Sequence, residues 1–217
     1  ANLNLLGTSG AGKTFTMQTM ALRMRRKGIQ VFIIAPLKGH EFYRAARNVG
    51  GEFIQISPAS KNCINIMEIR KVDNSVNELL DGPTLDASAL AGKIQRLHIF
   101  FSLLIPDMSH EEKQLLDEAL IKTYARKGIT HKNESLTDPQ HPEQYKKMPI
   151  LEDVYNVLLE SEDTKRLAHI LNRLVHGSAS SFNQQTNVDL TNKYTVLDIS
   201  ELTGSSDLLT VGMFVAL

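Results

Sequence analysis

The sequence predicts an α/β fold: a mostly parallel sheet that carries a helical insert. Three observations predict it. Residues 7–14, Gly-Thr-Ser-Gly-Ala-Gly-Lys-Thr, match the phosphate-binding pattern G-x-x-x-x-G-K-[ST] at every fixed position. Apolar runs then alternate with helical periods as far as Pro58, giving β-α-β-α-β, the order of a parallel sheet with crossovers. From about residue 85 to 174 the period becomes helical throughout, before an apolar run at 194–199 returns to the sheet.

Each element has its own signal. Leu3, Leu5 and Leu6 suggest a buried strand feeding the loop. Phe15 to Lys27 follows as a helix, stopped by Gly28 after Arg23, Arg25, Arg26 and Lys27. Cations in a last turn complement the helix dipole, which accounts for this cluster more simply than a nucleic-acid patch. Ile29–Ala35 is β-branched and nearly continuously apolar, the pattern of a central strand covered on both faces. Glu41 to Val49 predicts a short helix and Glu52–Ile56 the next strand. In the helical block, Asp86 to Leu104 shows a stripe of Leu90, Ile94, Leu97, Phe101 and Leu104. Ser109-His110-Glu111-Glu112 is a capping box opening a helix that Gly128 closes. Residues 130–148 are polar, contain Pro139 and Pro142, and predict a mobile loop. Helices follow at Ile150–Glu160 and Thr164–His176, stopped by Gly177. After a polar bridge, Ser178–Asn192, Tyr194–Ile199 is a strand, and Leu208–Leu217 is read as a buried helix on the spacing of Leu209, Met213 and Ala216. The organisation expected is a core from residues 1–61 and 178–217, with residues 62–177 as a mainly helical insert.

A chain of 217 residues suffices for one sizeable core with a subdomain. Lysine plus arginine equals aspartate plus glutamate at 24 each, so no global basic field is available for nucleic-acid binding by counterion release. The single cysteine, Cys63, excludes an internal disulfide and reads as a small buried apolar residue. No apolar run approaches the roughly 18 residues of a membrane span. The chain opens without methionine and closes on an apolar stretch, so it reads as a fragment of a longer ATPase.

The chemistry centres on the glycine loop. Glycines at 7, 10 and 12 permit backbone conformations that a side chain would block. The N–H groups of Thr8, Ser9, Gly10, Ala11, Gly12, Lys13, Thr14 and Phe15 form the nucleotide-binding stretch at a helix N-terminus, where the dipole favours negative charge. Lys13 is placed to reach the β- and γ-phosphates of ATP, and the Thr14 hydroxyl to ligate Mg²⁺. Glu41, just past the second strand, is a second catalytic candidate on the rim where ligands of open α/β sheets bind, and Lys38 shares that rim. A solvated helix N-terminus explains Glu41 equally simply. Asp198, at a strand end, is either a Mg²⁺ ligand or the cap of the turn before Ser200-Glu201. Arg166 and Arg173 share a helix face and are arginine-finger candidates beside the simpler reading as solvated residues. His131, His141 and Cys63 show no metal-ligand spacing.

Three stretches narrow the family. Ile33-Ile34-Ala35-Pro36-Leu37-Lys38-Gly39-His40-Glu41-Phe42, the bridge from Gly177 through Phe182-Asn183-Gln184-Gln185-Thr186-Asn187 to Val188, and Tyr194 to Leu202 occur in this order around the helical block. With the glycine loop they resemble the C-terminal ATPase domain of the fourth VirB protein. That is the traffic ATPase of type IV secretion and conjugation machines, in the HerA–FtsK branch of RecA-like P-loop motors. The resemblance implies an ATPase at the cytoplasmic, inner face of the bacterial membrane, peripheral to it. It would power pilus assembly and substrate export beside a coupling protein and other secretion components, as a monomer or a homo-hexamer. Ala35 stands where the family often has aspartate, and the acidic pair expected after the last segment is absent. A DNA-translocating coupling protein or HerA-like pump is the rival reading, and a nucleotide-gated adaptor a third.

Overall fold

A computed structural model describes residues 3–70 and 88–216. In chain order its elements are α1 (Lys13–Arg26), β1 (Val31–Ala35), α2 (Tyr43–Asn48), β2 (Glu52–Gln55), α3 (Ala89–Leu104), α4 (His110–Ala125), α5 (Leu151–Leu158), α6 (Lys165–Val175), β3 (Tyr194–Asp198) and α7 (Ser206–Ala216), with short 3₁₀ turns between them. The chain forms two compact units, residues 1–57 with 188–217, and residues 58–187.

The sheet unit is α/β, with three parallel strands in the order β1-β3-β2. Val31 pairs with Tyr194 and Ala35 with Asp198 on one side of β3; Glu52 pairs with Thr195 and Gln55 with Asp198 on the other. Alternation along the strands points Val31, Ile33, Tyr194, Val196 and Phe53 to one face. There they pack with Ala21 and Leu22 of α1, with Ala46 of α2 and with Val49 just after it. Helix α1 ends as expected at Gly28, whose φ of 81° is left-handed. Ile29 N–H donates to Met24 O at 3.1 Å and Gly28 N–H to Arg25 O at 3.0 Å, the two bonds of a Schellman close.

Three expectations for this unit are corrected. Leu3–Leu6 is not a strand: it has no strand to pair with among the described residues, and Leu6 is 94 % exposed. An extended segment without a ladder partner leaves its backbone groups to water and gains nothing from the sheet. The run at 29–35 is not the central strand. The last strand in sequence inserts between the first two, so β3 is buried at every position while β1 lies at the described edge with Phe32 exposed. The terminal segment is helical, as read, but among its described side chains Leu208 and Val211 are buried, whereas Met213 is exposed.

In the helical unit, Leu90, Ile94, Leu97 and Phe101 of α3 are buried as their spacing predicts. The Asp86 start expected for this helix lies outside the described residues; Ser88 caps it, accepting from Ala91 N–H at 3.2 Å. The capping box of α4 is complete: Glu112 N–H donates to Ser109 Oγ at 3.0 Å and Ser109 N–H to Glu112 Oε2 at 2.9 Å. Helix α5 packs against α4 and α6. Residues 130–148 are a folded excursion rather than a loose loop. Asp138 N–H donates to Gln144 O, Lys146 N–H to Leu136 O, and Leu136 and Met148 are buried. The prolines and polar residues sit in its turns, while two apolar residues anchor it.

The polar bridge carries a dense network. Cys63 N–H donates to Asn187 Oδ1 at 2.8 Å, Asn187 N–H to Cys63 O at 3.1 Å, and Asn187 Nδ2 to Lys61 O at 2.6 Å. Two residues on, Asn65 N–H donates to Thr186 Oγ1 at 2.9 Å and Asn65 Nδ2 to Pro149 O at 2.9 Å. Segments more than 100 residues apart in sequence are thereby zipped together, with buried amide groups satisfied by side chains instead of a regular ladder.

Candidate functional site

Parallel strands put all their carboxyl ends on one edge, and the glycine loop lies on that edge at the start of α1. Gly10 and Gly12 have φ of 80° and 81°, conformations in which a Cβ is strained. Thr8 O accepts from Ala11 N–H at 3.3 Å, and Gly12 O accepts from Thr16 N–H at 2.9 Å. Gly12 is the N-cap of α1 and has no side chain to cap it, and the first turn holds no acid. By contrast α3 and α4 open on serine caps. The first N–H groups of α1 therefore have no intrahelical partner, while the dipole adds positive potential at the same point. Lys13 Nζ donates to Gly7 O and Thr8 O, each at 2.7 Å, so the loop is closed on its own cation. Phe15 is 75 % exposed beside it.

The rim is joined to the loop helix. Gln18 Nε2, one turn after Thr14, donates to Glu41 O at 3.0 Å. Lys38 adopts φ 52°, left-handed without being glycine, and starts the 3₁₀ turn Gly39–Phe42. Its ammonium, largely in solvent, lies 3.8 Å from the partly exposed Glu41 carboxylate, a weak pair. Asp198 is buried, and its Oδ1 accepts from Ser200 N–H at 3.0 Å, so it caps the following turn. A Cβ on Gly39 would fall 2.1 Å from Asp198 Cγ: the backbone of the rim rests directly on this carboxylate. Sequence reasoning missed Gln18 and Gly39. Polar spacing on α1 offered a signal for the first, and only the fold shows the second.

The structure gives other candidates different duties. Arg166 donates to Glu112 Oε1 at 2.8 Å and Asp107 Oδ2 at 2.6 Å, tying α6 to the opening of α4. Arg173 O accepts from Ala179 N–H at 3.1 Å at the end of the same helix. His131 Nδ1 lies 3.1 Å from Ser88 Oγ, and His141 Nδ1 3.4 Å from Asp138 Oδ2. Burial pushes the Cys63 thiol up to about 11, which keeps it protonated and unreactive. Among the described residues no three His, Cys, Asp or Glu side chains gather as a metal site. No helix among them is long and apolar enough to cross a membrane.

This geometry can be set beside known proteins. No protein-family model matches the chain, and no curated protein does. Among solved structures, VirB4 of Thermoanaerobacter pseudethanolicus superposes with a TM-score of 0.76 at 27 % sequence identity, over 95 % of this chain and 52 % of that one. The chain is VirB4-like. The likeness runs through both units, since 95 % of the residues take part. A VirB4-like chain of this extent spans about half the length of the VirB4 structure it matches.

Proposed function

We propose that this VirB4-like chain is the nucleotide-driven motor portion of a type IV secretion ATPase. The single observation that carries the reading is the uncapped start of α1, preceded by two left-handed glycines and occupied by the Lys13 ammonium. An anion cradle with its own counter-cation fits the phosphates of ATP. The core–insert division of a RecA-like P-loop fold belongs to the same reading, with the helical residues as the insert. Thr8 to Phe15 form the binding stretch, and Lys13 leaves its two carbonyls for the β- and γ-phosphates. Thr14 offers one hydroxyl to Mg²⁺, which would neutralise phosphate charge. Asp198 is a turn cap in this scheme and not the acidic metal partner. Glu41 and Lys38 stand where a γ-phosphate is sensed: Gln18 holds the Glu41 backbone to the loop helix, so a shift of the loop reaches the rim. Other components of the secretion machine, a coupling protein, a hexameric assembly and a membrane-peripheral position complete the proposal.

The test is ATP hydrolysis and ATP affinity of the full protein with Lys13→Ala. Loss of a cation held for the phosphates is expected to lower turnover by about a hundredfold or more. Turnover equal to the parent would remove the assignment.

A further inference from the structure

We propose that the strand-entry end of the sheet unit, the end away from the glycine loop, is a docking face for anionic phospholipid headgroups. Three segments assemble it. Helix α1 ends on Arg23, Arg26 and Lys27, α2 ends beside Arg47, and Lys193 precedes β3. Hydrogen bonds hold them at one end. Val31 N–H donates to Lys193 O at 2.9 Å, Asn192 Nδ2 to Gly50 O at 3.0 Å, and Gly50 N–H to Arg47 O at 3.2 Å. All five residues are exposed. Among the described residues none of Arg23, Arg26, Lys27 and Lys193 has an ion pair, and Arg47 lies over the Tyr43 ring at 5.9 Å. The helix dipole accounts for cations in the last turn of α1 but not for Lys193, which is on no helix. Arg25, half-buried in the same turn, has its Nε buried without a hydrogen-bond partner. Two acids share this end against the five cations: half-buried Glu52 opens β2, and Asp189 spends one oxygen on Thr191 N–H and Oγ1, at 2.8 and 2.6 Å.

Two exposed aliphatic side chains choose the partner. Met24 and Ile29, 44 % and 49 % exposed, sit among the cations. Basic residues interleaved with apolar ones suit a bilayer surface, where headgroups take the charge and the acyl boundary takes the aliphatic groups. The Tyr43 ring is edge-on to Phe53 with Arg47 above it, so it is not an open platform for base stacking. This inference deepens the membrane-peripheral part of the proposed function and uses none of its nucleotide chemistry, so its test is run without nucleotide.

The full chain is sedimented with vesicles of phosphatidylcholine, alone or mixed with phosphatidylglycerol, at about 0.15 M salt. Binding is expected only to the mixed vesicles. Arg23→Gln with Arg26→Gln and Lys27→Gln is expected to weaken it by about a hundredfold. Arg47→Gln with Lys193→Gln, which leaves α1 intact, is expected to weaken it by about thirtyfold. Lys132→Gln with Lys147→Gln, exposed cations of the helical unit, should bind as the parent does. Equal binding to both vesicle types, or parent-like binding by both face variants, overturns the proposal. So does tighter binding to a single-stranded oligonucleotide that the same variants abolish, because the face is then a nucleic-acid interface. Failure of the nucleotide reading shows separately, as unimpaired hydrolysis by the Lys13 variant.

Discussion

In the helical unit several cations have partners. Lys122 and Arg126 share Glu160 at 2.7 and 2.6 Å, Lys127 meets Asp153 at 3.1 Å, and Arg166 is held by Asp107 and Glu112. Its helices α3 and α4 open on serine caps, and its buried amides are answered by Asn65, Thr186 and Asn187. In the sheet unit more of these groups stay open. Helix α1 is uncapped, its last-turn cations face solvent, and Leu6, Phe15 and Leu37 are 94 %, 75 % and 69 % exposed. One unit closes many of its own hydrogen bonds and charges. The other leaves donors, cations and apolar surface open at both ends of its sheet. The difference teaches where each kind of stability comes from: internal satisfaction makes the helical unit self-sufficient, while open groups in the sheet unit are stabilised only by what binds them.

Substitutions can break or sharpen this contrast, and the largest stability effect belongs to the helical unit. Asn65→Ala removes side-chain bonds to Pro149 O and Met67 N–H at a residue 2 % exposed. A loss of about 3 kcal/mol is expected in that unit, from stranded partners as much as from lost bonds. Alkylation of Cys63 reads it directly, because this buried thiol reacts only when the unit opens. Alkylation no faster than in the parent would show that the zipper is not what holds the unit together.

The next effect falls on the rim of the sheet unit. Gly39→Ala drives a Cβ into the Asp198 carboxylate and is expected to cost about 2 kcal/mol. Nucleotide affinity should fall with it, while Cys63 protection stays that of the parent. A melting temperature equal to the parent's would mean that the turn yields freely.

The smallest effect has the opposite sign. Tyr194 is wholly buried, and its hydroxyl has no hydrogen-bond partner. Burial raises its pKa for the same reason that it penalises the unpaired group. Tyr194→Phe is therefore expected to raise stability by about 1 kcal/mol in denaturant titration. Destabilisation would show that the hydroxyl has found a partner, such as a bound water.

Local signals carried much of this molecule. The capping box at Ser109, the stop at Gly28, the α3 stripe and the run at 194–198 each depend on contacts within a few residues, so the string of letters suffices to place them. The glycine loop was legible for the same reason: its spacing is a covalent property of eight consecutive residues. The same string identified Arg166 and Asp198 as site candidates, and the fold put both into structural duty. Their roles turn on who stands opposite, which is not encoded nearby.

The sequence by itself determined the α/β class, the helical block and the glycine loop that opens α1, because period, cap and glycine spacing act over one or two turns of chain. Only the tertiary structure decided that the last strand lies between the first two, that the bridge zips onto residues 61–68, and that three separate segments bring their cations to one end of the sheet. Strand order and side-chain partnership are set by which surfaces bury each other across more than 100 residues, a competition that no local pattern records.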